Sequence, residues 1–289
     1  MTDYSNDLLF GKNKMTNVVS CEPFGDKLVV FREIDGKLID EVIDNKYWLI
    51  TNERISSKQK ELDGDQHFKY LAEFNTIEEQ RKVRGLVKSN KIDYWDIFSP
   101  KEASMVYNGL TYFKGLNPKD VSVLSWDLET TGLVHNEDSM IVLISNTLRK
   151  NGVVTKKLFA YDDYKNQKQM IDAWCNWVRE VDPTFFLGHN IFGFDLQYLK
   201  HCAKMNRTWL CLGRDDSNIK FDPYVTAYRV DGTQDIEYFN AHIFGREIID
   251  TMFLARKYDF SKKYESYGLK PIIKHEGLEK VDRIFECKK

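Results

Sequence analysis

From residue 121 onward, short apolar runs alternate with helix-period stripes, and that alternation constrains the fold more than any other feature. "SVLSW", "MIVLIS", "GVVTKKLFAY" and "TFFLG" are β-branched and aromatic and read as strands. The second and third are joined at Asn151-Gly152, a dipeptide suited to a two-residue hairpin. "QKQMIDAWCNWVREVD" then places Ile171, Trp174, Cys175 and Val178 at i, i+3, i+4 and i+7, the stripe of a helix buried on one side. "FDLQYLKHCAKMN" reads as another helix, and "REIIDTMFLARKYDF" as a strand entering a helix capped by Asp250 or Thr251. "SYGLKPIIKHEG" reads as helical, with Pro271 near its first turn. Three strands in a meander followed by alternating helices and strands predict an α/β domain with a mixed sheet.

The front of the chain reads differently. "NVVSCEPF", "KLVVFREIDGKLIDEVI" and "KYWLIT" are strand-like, and Asp35-Gly36 between two such runs is a hairpin signal. Residues 75–91 read as a helix. Gly115 and Pro118 mark a boundary near 118, giving a smaller β-rich domain over 1–118 and the α/β domain over 119–289. A chain of 289 residues with 42% hydrophobic content can bury both cores.

One of these strands carries acid. "VSVLSWDLETTG" holds Asp127 and Glu129 two residues apart, so a strand projects both carboxylates from one face while Trp126 and Leu128 point the other way. Like charges that close repel unless a cation or protons neutralise them. Farther on, "FFLGHNIFGFDLQYL" ends a strand at Asn190 and opens a helix around Phe194 and Asp195. Functional groups of a mixed sheet gather at the carboxyl ends of strands and the helix starts that follow. If Asp195 folds back over the first strand, three carboxylates converge as a hard, all-oxygen site, which favours magnesium or manganese over zinc. Two such ions would activate water and stabilise a leaving oxygen in phosphodiester hydrolysis. Asp250 reads as a helix cap, and His189 and His275 as local hydrogen-bonding groups. The Lys- and Tyr-rich "KYDFSKKYESYGLK" reads as a solvated face.

"WDLETTGL" and, some sixty residues later, "GHNIFGFDLQYL" resemble the first two motifs of the RNase H-like 3′→5′ exonucleases that proofread for DNA polymerases. "DTMFLARKYD" and "SYGLKPIIKHEGL" resemble the helical part of such domains, and the β-rich front resembles the domain preceding the exonuclease in family B DNA polymerases, including those of phages. The resemblance implies an RNase H-like exonuclease domain after a smaller α+β domain. It implies two metals, magnesium or manganese, on Asp127, Glu129 and Asp195 as catalytic residues. It further implies substrate contacts from Thr130, Thr131 and Asn190, an apolar wedge at Leu133, and packing by Phe194 beside the terminal nucleotide. A single-stranded DNA 3′ end would be the substrate, and polymerase domains or a separately encoded polymerase subunit the partner. The family's third motif, Y-x3-D or H-x4-D, is not matched: Tyr258, Tyr264, Tyr267 and His275 have no aspartate at the required distance. The expectation is therefore either a truncated chain or the front piece of a split polymerase, with hydrolysis weak or lost in isolation. The alternative is a noncatalytic module that binds a single-stranded 3′ end or a second polypeptide.

Composition excludes other classes. A net charge of −2 rules out a globally basic protein while allowing a local basic groove. No apolar run is long enough to span a membrane, and the N-terminus lacks a signal pattern. Five cysteines without CxxC spacing point to a reduced, cytoplasmic protein without structural zinc.

Overall fold

The computed structural model describes residues 11–230 and 235–279. The chain divides into two compact units, Met1–Val121 and Ser122–Lys289.

The first unit is rich in strands. β1 (Val18–Phe24), β2 (Lys27–Ile34) and β3 (Lys37–Asp44) form an antiparallel meander. The turn between β2 and β3 holds Asp35 at φ +51° and Gly36 at φ +71°, the left-handed pair that a tight hairpin needs, as the sequence predicts. A second sheet runs β5 (Lys60–Glu61), β6 (Tyr70–Phe74), β4 (Tyr47–Thr51), β7 (Tyr94–Trp95). Helix α1 (Ile77–Ser89) starts at Thr76, whose hydroxyl accepts the Glu79 N–H, while the Glu79 carboxylate accepts from Asn75 N–H. Helix α2 (Pro100–Asn108) was not legible as an element from apolar periodicity alone. It begins with Ser99 as cap and Pro100 in its first turn, and stops at Gly109 with φ +62°.

The second unit is the α/β domain. β8 (Val123–Thr130), β9 (Ile141–Lys150) and β10 (Val153–Ala160) form the predicted meander, its second turn again left-handed at Asn151 and Gly152. After a 3-10 turn over Tyr161–Asp163, helix α3 (Gln167–Val181) leads to β11 (Phe185–Gly188), which pairs parallel with β8. Helix α4 (Asp195–Met205) and a two-stranded hairpin, β12 (Lys220–Arg229) and β13 (Asp235–His242), precede β14 (Glu247–Asp250), which pairs parallel with β11. The strand order is therefore β10-β9-β8-β11-β14. Helices α5 (Thr251–Tyr258) and α6 (Leu269–His275) follow, Pro271 lying in the first turn of α6.

Burial explains this layout. α3 buries Met170, Ile171, Trp174, Cys175 and Val178, one face of the helix, against Leu124, Trp126 and Leu128 of β8. Trp174 lies 5.1 Å from Trp126, ring to ring, and its indole N–H is satisfied by Asn146 Oδ1 at 3.0 Å. Among the described residues no helix is long and apolar enough to cross a membrane. Four described cysteines are free thiols; Cys287 lies outside the described residues.

Candidate functional site

β8 alternates as the sequence requires: Trp126 and Leu128 are buried, while Asp127 and Glu129 are on the open face. Parallel β11 is short. It pairs with β8 only from Val123 to Ser125, so β8 runs on past its neighbour with backbone groups that no ladder satisfies. The Leu128 N–H is one of these, and it donates to Asp195 Oδ1 at 3.1 Å. Asp195, in the first turn of α4 and only 3% exposed, thus stands in for the missing strand and brings its carboxylate against the backbone between Asp127 and Glu129.

The electrostatics follow from that placement. Burial, then the charge of Asp127, pushes the Asp195 carboxyl up to about 7 against two backbone hydrogen bonds that pull it down. Asp127 is also raised, by partial burial and then by Glu129. No lysine or arginine forms an ion pair with Asp127, Glu129 or Asp195 among the described residues. Nor do any three His, Cys, Asp or Glu side chains there group closely enough to hold a metal ion. The arrangement is an exposed acidic pair beside a buried third carboxylate.

The turn between β11 and α4 is held from below by Asp250. Its carboxylate caps α5 by accepting from Met252 N–H at 2.9 Å, as read from sequence. It also accepts the backbone N–H groups of Asn190 at 2.9 Å and Phe192 at 3.3 Å, a second role that sequence spacing did not disclose. Asn190 adopts φ +62°, and a Cβ on Gly193 would meet Asn190 Oδ1 at 2.3 Å, so a larger residue there would push the Asn190 side chain aside. His189 bonds Thr251 Oγ1 at 3.0 Å and the Tyr267 carbonyl at 2.7 Å. Phe194, half-buried, packs on Tyr198 with ring centroids 5.4 Å apart.

The loop after β8 brings up the rest. Thr130 donates its hydroxyl to the Gly132 carbonyl at 2.9 Å. Thr131 donates to the Asp138 carbonyl at 3.3 Å and accepts from Met140 N–H at 3.1 Å. Both hydroxyls therefore shape the loop itself. Leu133 is 81% exposed, an apolar side chain with nothing packed over it.

An α/β domain with carboxylates at the ends of its central parallel strands is the class that fold and site define. Residues 111–272, more than half of the chain, match the family described as DNA polymerase family B, exonuclease domain, and the chain belongs to that family. It is similar to the DNA polymerase delta catalytic subunit of Schizosaccharomyces pombe, with 42% identity over 45 residues, 16% of this chain and 4% of that protein. The corresponding Candida albicans subunit is 24% identical over 216 residues, 64% of this chain and 18% of that protein. The DNA polymerase of Pyramimonas orientalis virus is 28% identical over 116 residues, 38% of this chain and 9% of that protein. The chain thus spans less than a fifth of the length of these relatives.

Proposed function

We propose that this chain hydrolyses the 3′-terminal phosphodiester of single-stranded DNA, the 3′→5′ exonuclease step of a family B DNA polymerase. The observation that carries this reading is the set of uncompensated carboxylates, Asp127, Glu129 and Asp195, in a domain of that family. Repelling acids without a basic partner fit a cation, and an all-oxygen donor set fits magnesium or manganese. Two bound ions would supply an activated water and charge stabilisation at the leaving oxygen. The three carboxylates would hold them once drawn closer together than they stand in the metal-free chain.

The remaining roles fall to this chain's own groups. The Leu128 N–H fixes the Asp195 carboxylate against β8. Asp250 pins the Asn190 backbone N–H, leaving the Asn190 side-chain amide to contact the terminal nucleotide. Thr130 and Thr131 shape the loop that approaches the 3′ end, Leu133 wedges against the last base, and Phe194 backs the turn. A site of this kind favours frayed ends, since unpairing costs a few kcal/mol and least at a mismatch.

The strand order, a meander flanked by two parallel strands, supports an RNase H-like fold for the second unit, and the first unit reads as the β-rich domain that precedes it. Polymerase domains, on this or a separate polypeptide, are the expected partners, in a reducing compartment such as the cytoplasm.

A second reading has its own observation. No three-residue metal cluster forms among the described residues, which suits a module that holds a single-stranded 3′ end without cutting it. A nuclease assay on 5′-labelled single-stranded DNA with magnesium or manganese separates the two. Stepwise loss of 3′ nucleotides that disappears in Asp127→Ala supports the exonuclease; tight binding without cleavage supports the module. Robust cleavage that survives Asp127→Ala defeats both.

A further inference from the structure

The two edges of the five-stranded sheet are finished differently. β14 is four residues long, partly buried, and runs straight into α5. β10 is eight residues long, and Val153 to Leu158 are exposed without a break. Among the described residues it pairs with β9 alone, in unbroken register from Val153 opposite Lys150 to Ala160 opposite Leu143. It has none of the bulges, prolines or covering strands that usually blunt an edge.

The turn fixes which backbone groups are spent. Asn151 and Gly152, at φ +52° and +74°, make a two-residue hairpin, the geometry in which the flanking Lys150 and Val153 exchange backbone hydrogen bonds. Alternation then turns the backbone groups of Thr155 and Lys157 inward to β9 and those of Val154, Lys156 and Leu158 outward. The Lys157 carbonyl agrees, accepting from the Asn146 side chain of β9 at 3.2 Å. Three N–H and three C=O groups therefore face away from the sheet in a row about 14 Å long.

The side chains along this row select what can join it. Val154 and Leu158, each 59% exposed, flank Lys156 on one face, while Val153, Thr155 and Lys157 stand on the other. Neither lysine forms an ion pair among the described residues; Lys157 Nζ lies 5.5 Å over the Phe159 ring. A second copy of the chain is a poor match. The antiparallel register that uses all three outward residues sets Lys156 against its own copy, and like charges directly opposite destabilise a strand pair. An acidic strand answers the same groups with attraction. We infer that the outer edge of β10 accepts an extended segment of a partner polypeptide as a sixth strand, with acidic residues opposite Lys156 and Lys157 and apolar ones opposite Val154 and Leu158. The pairing is antiparallel, the more stable arrangement per residue. Backbone bonds supply the affinity and the acid–lysine pairs the choice of partner. The inference uses none of the carboxylate groups, so it stands or falls apart from the exonuclease reading.

The test is fluorescence anisotropy of the full chain with the labelled peptide Val-Glu-Glu-Thr-Val-Ile, written to lie antiparallel along Leu158 to Val153. Saturable binding is expected, and a peptide with Lys in place of both Glu binds about tenfold more weakly. Lys156→Glu weakens the Glu peptide about fivefold and strengthens the Lys peptide. Val154→Pro removes an outward N–H while sparing the β9 ladder, and abolishes binding. N-methylation of the second Glu and second Val of the peptide, whose N–H groups would face β10, also abolishes binding; N-methylation of the first Glu and the Thr, which face away, does not. Thermal melting confirms that both variants are folded. Absence of saturable binding at millimolar peptide, equal affinity for the Glu and Lys peptides, or equal sensitivity to the two methylation patterns overturns the inference. If the wild-type chain instead sediments as a dimer that Val154→Pro dissociates, the edge pairs with a second copy and the partner assignment is overturned.

Discussion

Asp195 has two demands on it that conflict. It must be buried to reach the Leu128 N–H, and it must be ionised to hold a cation. Its carboxyl, pushed up to about 7, keeps its proton in the folded state well above the ordinary aspartate value near 3.8. Between about pH 4 and 7 the folded chain therefore binds more protons than the unfolded chain, and stability falls as pH rises through that window. Asp195→Asn keeps an acceptor for Leu128 without the charge. In EDTA it is expected to melt above the wild type at pH 8, by up to a few kcal/mol at 1.36 per pKa unit, and level with it at pH 4. A lower melting point at pH 8 would show that the carboxylate is not under strain. The same-face pairing of Asp127 and Glu129 was legible from strand alternation alone. The link from Asp195 to Leu128 was not, because it depends on where β11 stops, and nothing local in "TFFLGHN" states that length.

At the scale of elements, the two parallel strands are tied at their start by one acid. Asp182 ends α3 at φ +47°, and its carboxylate accepts from Arg214 Nε at 2.9 Å and Arg246 Nη1 at 2.5 Å. Arg246, 2% exposed, also donates to the carbonyls of Leu212 and Pro183, so the ends of α3, β11 and β14 share a cationic clamp. Burial would raise the Asp182 carboxyl, but Arg214 and then Arg246 hold it below its ordinary range. That stabilisation is present above about pH 4 and is lost as pH falls further. Asp182→Ala strands a buried guanidinium and is expected to cost about 3 kcal/mol in urea unfolding at pH 7. The penalty should shrink in acid; a constant penalty would mean that packing, not charge, is what was lost. The hairpin β12–β13 escaped the sequence reading for a physical reason. Pro223 interrupts the strand pattern of "KFDPYVTAYR", and the register slips between Phe221 and Val225, where the ladder accommodates it. α2 was findable: "SPKE" carries a cap, a first-turn proline and an acid in the first turn.

For the molecule as a whole, each unit has its own core, one around Val18, Leu28 and Val30 and the other around Leu124, Trp174 and Phe186. The segment Asn117–Asp120 between them is exposed throughout, with Asn117 Oδ1 accepting from Lys119 N–H at 3.0 Å as a local turn. Brief trypsin treatment is expected to cut at Lys119 and leave two protected fragments. Rapid loss of both would show that neither core persists alone. In the sequence, turn residues gather near residue 118, where few contacts are expected to cross.

The short reach of β11 has a consequence for descent. Asp195 completes hydrogen bonding that a longer strand would have supplied, so a lineage that gave up phosphodiester chemistry would still be held to Asp or Asn here by folding. Asp127 and Glu129, exposed on the open face of β8, are less bound by the fold and would drift first. In a diverging branch of such chains, the order in which acids vanish would date the loss of chemistry, with the strand pair as the clock and the helix residue silent. Alanine at 127 or 129 should accordingly leave the unfolding free energy unchanged or slightly raised, and alanine at 195 should lower it by about 1–3 kcal/mol in urea unfolding, the cost of an unanswered buried N–H.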